Sequence, residues 1–222
     1  MAFSFSPRIV TDGLVLYLDA ANQRSYPGAG ITWSDISRGG NNGTLTNGPT
    51  FNSANGGNIV FDGTNDYVSC GNLTNLQITQ GTISAWVRTS SPGSDFRGII
   101  AKQRNYGIFI RNGILTTYDW GAAAERTTLI NIADGTWKNT VMTFTTNTGN
   151  PSNNAIIYLN GIAVLTTTIK YDADTVEVQI GNGGIASQYI NGNIAQAKIY
   201  NRALSAQEVL QNYNATKTRF GL

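Results

Sequence analysis

Only one stretch of this sequence carries the marks of a helix, and it comes at the end of a long succession of short alternating runs. Leu204-Ser205-Ala206-Gln207-Glu208-Val209 spells a capping box. In such a box Ser205 accepts the Glu208 N–H, and the Glu208 carboxylate reaches back to the Ser205 N–H. Leu204 and Val209 stand at the two positions of a hydrophobic staple. Ala206, Val209, Leu210 and Tyr213 follow at helical spacing, which predicts one apolar face docked on the rest of the chain. Just before it, Ile194 to Tyr200 alternates as a strand. Strict alternation puts Ala195, Ala197 and Ile199 on one face, and Ile194, Gln196, Lys198 and Tyr200 on the other. A last strand followed by a docked helix closes whatever the upstream chain builds.

What lies upstream is β-structure. Gly13-Leu14-Val15-Leu16-Tyr17-Leu18 is a continuous apolar run, consistent with a strand buried on both faces. Short strands follow at Asn58–Phe61, Asp66–Cys70, Thr82–Thr89, Ile99–Lys102 and Tyr106–Ile110, then at Leu115–Trp120, Trp137–Thr146, Ala155–Leu159, Ile162–Leu165 and Val176–Ile180. Asn112-Gly113 and Asn160-Gly161 each join two of them, and Asn-Gly favours the type I′ hairpin turn. Trp86 is the expected large core anchor. Many short strands with Gly/Asn turns, and no repeat or composition break, predict one all-β domain over residues 1–222. Its core runs from about residue 13 to residue 213, between short tails.

Composition excludes several function classes. A net charge of +2 gives no field for nucleic acid or an anionic membrane. The charged fraction of 13% leaves the surface to Asn, Thr, Ser, Gln and Gly. The absence of histidine removes Ser-His-Asp and Cys-His nucleophiles and His-ligated zinc. Cys70 is the sole cysteine, so no intrachain disulfide forms, and it reads as a small buried thiol. No run approaches the length of a membrane span, and Met1–Arg8 lacks the features of a signal peptide. Synthesis in a cytoplasm, without membrane insertion, is therefore the expectation.

Several segments taken together resemble laminin-G-like, concanavalin A-like lectin/glucanase domains. They are Phe61-Asp62-Gly63-Thr64-Asn65-Asp66-Tyr67-Val68, Ile83-Ser84-Ala85-Trp86-Val87-Arg88, Gly135-Thr136-Trp137, Ile157-Tyr158-Leu159-Asn160-Gly161 and the closing stretch Gly192–Ser205. The resemblance spans roughly Gly13 to Tyr213 and implies an antiparallel β-sandwich, a concanavalin A-like jelly roll with one short C-terminal helix. Gly13–Asn22 and Lys217–Leu222 are further similar to laminin-G-like proteins of tailed-bacteriophage virions. That similarity implies a non-catalytic virion surface protein, in a head decoration or a tail or fibre. Such a protein would be made in the host cytoplasm and displayed in many copies among other virion proteins. The alternative is a carbohydrate-binding module or polysaccharide-active enzyme outside a virion.

The resemblance raises three kinds of site. Glycosidases of this fold carry alternate acids on one strand, as two-carboxylate hydrolysis requires. Here only Asp172-Ala173-Asp174 has the spacing, in a turn, so no catalytic residue is assigned. No cofactor is expected beyond a candidate Ca2+, which family members hold near the ends of the first and last strands. Asp19, Asp35, Asp62 and Asp66 are its candidate ligands, although Ile194-Ala195-Gln196 stands where the family has Ile-Asp-Glu. Lectins of the fold combine an aromatic platform with loop amides, because sugar rings have apolar faces and hydroxyl rims. Trp120 is the leading candidate for an exposed ring, with Asp119, Tyr118, Tyr106, Trp33 and Tyr189 beside it as carbohydrate-binding candidates for a weakly bound polysaccharide.

Overall fold

The computed structural model describes residues 7–146, 152–170 and 176–222. The strands are, in order, β1 (Leu14–Asp19), β2 (Thr32–Trp33), β3 (Gly43–Thr46), β4 (Thr50–Asn52), β5 (Asn58–Asp62) and β6 (Tyr67–Ser69). Next come β7 (Gly81–Arg88), β8 (Arg97–Lys102), β9 (Tyr106–Arg111), β10 (Ile114–Asp119) and β11 (Ala124–Asn131). The last are β12 (Lys138–Phe144), β13 (Ala155–Leu159), β14 (Ile162–Thr167), β15 (Val178–Ile180) and β16 (Asn191–Tyr200), before helix α1 (Ala206–Thr216).

They form two eight-stranded sheets whose pairings are all antiparallel. The first runs β14-β13-β12-β7-β16-β5-β4, with β1 sharing one edge of the long β16 with β5; the second runs β11-β10-β9-β8-β15-β6-β3-β2. The two inner faces enclose the main core. Ile83, Ala85, Val87, Met142 and Phe144 come from the first sheet, and Tyr106, Ile108, Ile110, Val178 and Ile180 from the second. The arrangement is the antiparallel β-sandwich expected of alternating strands. Both Asn-Gly turns have two positive φ angles, 50° and 81° at Asn112-Gly113 and 51° and 79° at Asn160-Gly161, as type I′ demands.

Three expectations need correction. Trp86 is fully buried, but it lies outside the inter-sheet core. It sits on the outer face of the first sheet, stacked 4.0 Å from Phe220 and 5.8 Å from Tyr213, with Nε1 donating to Thr216 Oγ1 at 2.9 Å. The alternation of β16 breaks at a bulge between Ile194 and Gln196. Ile194 therefore joins Ala197 and Ile199 in the main core, while Ala195 turns outward to the Trp86 cluster. The extra residue of a bulge resets which side chains share a face. On α1 the docked face is Val209, Asn212 and Tyr213, whereas Leu210 is exposed and Ala206 is too. Asn212 bonds the Val10 N–H at 2.8 Å and the Tyr200 hydroxyl at 3.1 Å, so part of the docking is polar. The capping box itself forms as spelled, and Leu204 and Val209 share one cluster.

Candidate functional site

The outer face of the second sheet carries a pocket of about 270 Å³, lined by Phe96, Gln103, Phe109, Tyr118, Trp120, Ile185 and Gln188. Its base arises from strand alternation. Ile108 and Ile110 of β9 point into the main core, so Phe109 between them points out. On β10 the partly exposed Tyr118 stands on the same outer face, and Trp120 follows in the turn toward β11. Gly107 has no Cβ because one would lie 2.6 Å from the Phe109 ring. Side walls come from the loop after β7, which supplies Phe96, and from the loop between β15 and β16, which supplies Ile185 and Gln188.

The rings hold one another edge to face. Tyr118 and Trp120 are 5.6 Å apart, Phe109 and Trp120 6.1 Å, Phe96 and Phe109 5.6 Å, and Phe96 and Tyr118 5.4 Å. Such contacts fix ring orientation beyond what burial alone does. Trp120 and Tyr118 remain half-buried, so part of each ring faces solvent. Arg111 covers the far side of Phe96 at 4.8 Å while pairing with Glu125 at 2.7 Å. Gln188 is pinned through its backbone, its carbonyl accepting from Gly98 and Gly183 and its N–H donating to Ile185 O. Its side-chain Oε1 is enclosed without a hydrogen-bond partner. An unmet buried carbonyl of this kind costs about 1–3 kcal/mol.

Of the predicted carbohydrate ligands, Trp120 and Tyr118 come together here. Asp119 does not face the pocket. It is 1% exposed, and its oxygens take Arg126 at 2.7 Å and the N–H groups of Ala122 and Lys170 at 3.1 and 2.9 Å. Asp119 thereby braces the turn that presents Trp120. Trp33 and Tyr106 are both 0% exposed in the inter-sheet core, so neither offers a ring to solvent. Tyr189 packs instead on Tyr67 at 6.3 Å, away from the pocket lining. Phe96, Phe109, Gln103, Ile185 and Gln188 were missed. Phe109 sits in the run Tyr106–Ile110, which is apolar on both faces, and Gln188 in a loop with no periodicity, so the sequence held no signal for either.

The four aspartates proposed for calcium do not converge, and among the described residues no group of three or more acidic, His or Cys side chains could hold a metal. Asp19 accepts from Arg219 at 2.6 Å, Gln196 at 2.7 Å, the Ala21 N–H at 3.0 Å and the Tyr17 hydroxyl at 3.1 Å. Asp35 accepts from the N–H groups of Tyr17, Ser37 and Asn41 and from the Ser37 hydroxyl. Asp62 caps its own turn through the Thr64 N–H at 2.7 Å, and that bond holds its carboxyl below the usual range. Asp66 accepts the Asp62 N–H at 3.1 Å, and burial raises its carboxyl. These oxygens already meet protein donors, so the set does not fit a calcium ion. Asp172 and Asp174 lie outside the described residues. Cys70 is buried, and burial pushes its thiol up, which makes it inert as read.

Comparison with solved structures returns the same sandwich. The binding domain of Paraclostridial Mosquitocidal Protein 1 matches with a TM-score of 0.69 and 16% identity over 91% of this chain, which spans 52% of that one. Domain 4 of AbnA, a GH43 extracellular arabinanase from Geobacillus stearothermophilus solved with arabinotriose, matches with a TM-score of 0.68 and 16% identity, over 92% of this chain and 100% of that domain. The Trypanosoma rangeli sialidase solved with sialic acid matches with a TM-score of 0.69 and 14% identity, over 97% of this chain but only 36% of the sialidase. Identities this low speak to fold alone. No curated protein matches the sequence. The Laminin_G_3 profile, described as the concanavalin A-like lectin/glucanases superfamily, matches residues 62–210, well over half of the sequence. The chain belongs to the Laminin_G_3 family of the concanavalin A-like lectin/glucanase superfamily.

Proposed function

We propose that the outer-face pocket is the glycan site of a non-catalytic binding module. The observation that carries this reading is the pair Trp120 and Tyr118, two partly exposed rings locked 5.6 Å apart at the edge of a pocket with two amides in its lining. A sugar ring stacks its C–H face on such a platform and turns its hydroxyls to the amides. The similarity to an arabinanase domain solved with arabinotriose supports the same class. Among the described residues the lining carries no carboxylate, and the nearby Glu125 is paired with Arg111, which is the ground for reading the module as non-catalytic.

A shallow site with one platform and two amides binds weakly, at about millimolar or −4 kcal/mol per site. Useful adhesion then needs many linked copies, because linkage raises avidity without new contacts. A virion surface supplies such display, and the similarity of Gly13–Asn22 and Lys217–Leu222 to phage virion proteins is the ground for that setting. The test compares polysaccharide retention by monomeric protein and by protein clustered on beads. Retention by the clustered form alone, lost in Trp120→Ala with the fold intact, is the expected outcome, and no new reducing ends should accumulate. Absence of retention in the clustered form would leave the domain as a spacer or protein-docking module.

A further inference from the structure

A second, polar pocket of about 260 Å³ lies between the end of β7, the start of β16 and Gly135, and it shares no lining residue with the aromatic pocket. Val87 points into the main core, so Arg88 beside it turns to the outer face of the first sheet, the side that carries Trp86 and Trp137. The Arg88 guanidinium lies over Trp137, 5.3 Å from the ring centre. That ring is itself fixed, with Nε1 donating to Asn55 Oδ1 at 3.0 Å and Phe220 packed at 4.9 Å.

Arg88 is a cation without a counter-ion. Among the described residues no carboxylate pairs with it. Asp134, next to Gly135 in the chain, is taken by Lys138 at 2.7 Å and by the Thr136 hydroxyl, and Asp62 accepts the Thr64 N–H at 2.7 Å. The bonds that Arg88 does make run from Nε and Nη2 to Asn193 Oδ1, at 3.4 and 3.3 Å, long for charged donors. Two of the five guanidinium N–H groups are thus used, and three have no acceptor among the described residues. Nη1, unlike the enclosed Arg111 Nε, reaches solvent.

A guanidinium held by a ring on one side and open at its end loses little freedom when an anion arrives. The open end presents two parallel N–H groups, which a planar carboxylate meets bidentately. Two exposed groups in the same lining lack a partner among the described residues: the Ser90 hydroxyl, and Oδ1 of Asn191, whose Nδ2 donates to the Asp62 carbonyl at 3.1 Å. A hydroxyl and an amide carbonyl suit the ring hydroxyls beside the carboxylate of an acidic sugar.

We propose that this pocket binds the carboxylate of an acidic saccharide, with Arg88 as the residue that recognises it. The saccharide class rests on the reading of the chain as a glycan-binding module; the preference for an anion rests on Arg88 alone.

The experiment uses bead-clustered protein and oligogalacturonates, oligoglucuronates and oligomannuronates, each against its carboxyl-reduced form. At least one uronate series should be retained about tenfold better than its reduced form, as a charge-assisted pair gives, and the advantage should shrink as salt screens it. Both comparisons are read on the natural protein and need no variant to fold. Arg88→Gln should abolish the preference, and Arg88→Lys, which keeps the charge but loses the fork, should keep part of it; thermal midpoints check that each is folded. The same loss should appear when Arg88→Gln is combined with Trp120→Ala, which removes the outer-face platform. Equal retention of acidic and reduced forms, or a preference unchanged in folded Arg88→Gln, would overturn the proposal. Retention that depends on Trp120 but not on Arg88 would overturn it while the outer-face reading stands, and retention that depends on Arg88 alone would do the reverse. Failure of every series would overturn both.

Discussion

At the scale of single residues, Lys198 is a lysine held in the interior at an electrostatic cost. It lies on the outer face of β16, buried, with Nζ donating to Gln196 Oε1 at 2.8 Å and 4.7 Å from the centre of the Tyr17 ring. Burial pulls its ammonium down to about 8; Asp19 opposes that shift and Arg219 adds to it. The unfolded chain keeps this proton up to the ordinary lysine value of 10.5, so between about 8 and 10.5 it binds more protons than the native state. Stability from this group therefore rises with pH across that window. Lys198→Met lacks the effect. The stability of the natural protein relative to Lys198→Met should climb by on the order of 2–3 kcal/mol between pH 7.5 and 10. Urea titrations of both proteins across that range provide the check, and a flat difference would contradict it. The sequence showed Lys198 on a strand beside Gln196, but not that Tyr17 of β1 and the charges of Asp19 and Arg219 would stand beside it.

Elements tell a similar story. The clasp at α1 was legible because a capping box is local: Ser205 Oγ takes the Glu208 N–H at 3.3 Å and the Glu208 carboxylate takes the Ser205 N–H at 2.9 Å. Arg202 extends it, gripping Glu208 at 3.0 and 2.6 Å and Asp12 at 2.7 Å. Those bonds from Arg202 hold the Glu208 carboxyl at about 2, so the clasp's contribution is present above its ordinary value of 4.5 and is lost as pH falls toward 2. Ser205→Ala should cost about 1 kcal/mol, read as a fall in thermal midpoint of about 2–4 °C; an unchanged midpoint would count against the box. Strand β11 was not foreseen, because its residues Ala124–Asn131 are nearly all half-exposed and show no alternation. The bulge in β16 was equally invisible, since Ile194 and Ala195 are both apolar and suit either face.

For the whole molecule, the decisive contact joins the two ends of the described chain. Arg219 donates to Asp19 at 2.6 Å and to the carbonyls of Asn55 and Gly57, so one guanidinium ties the C-terminal turn to β1 and to the loop before β5. Arg219→Ala should leave Asp19 largely buried without this partner and cost about 3 kcal/mol; a denaturant midpoint unmoved at neutral pH would refute that weight. The sequence by itself determined the fold class, both Asn-Gly hairpins, the helix cap and the absence of histidine chemistry, because each depends on neighbours a few residues apart or on composition. It also placed Trp120 and Tyr118 on a candidate surface, through their position at a strand end beside a turn. Only tertiary structure decided that Trp33 and Tyr106 are enclosed, that Asp19 meets a guanidinium, and that Phe96, Phe109 and Gln188 complete the pocket. Those outcomes depend on which strands become neighbours across a sheet and which loops fold over it, and contacts between residues far apart in the chain leave no local pattern to read.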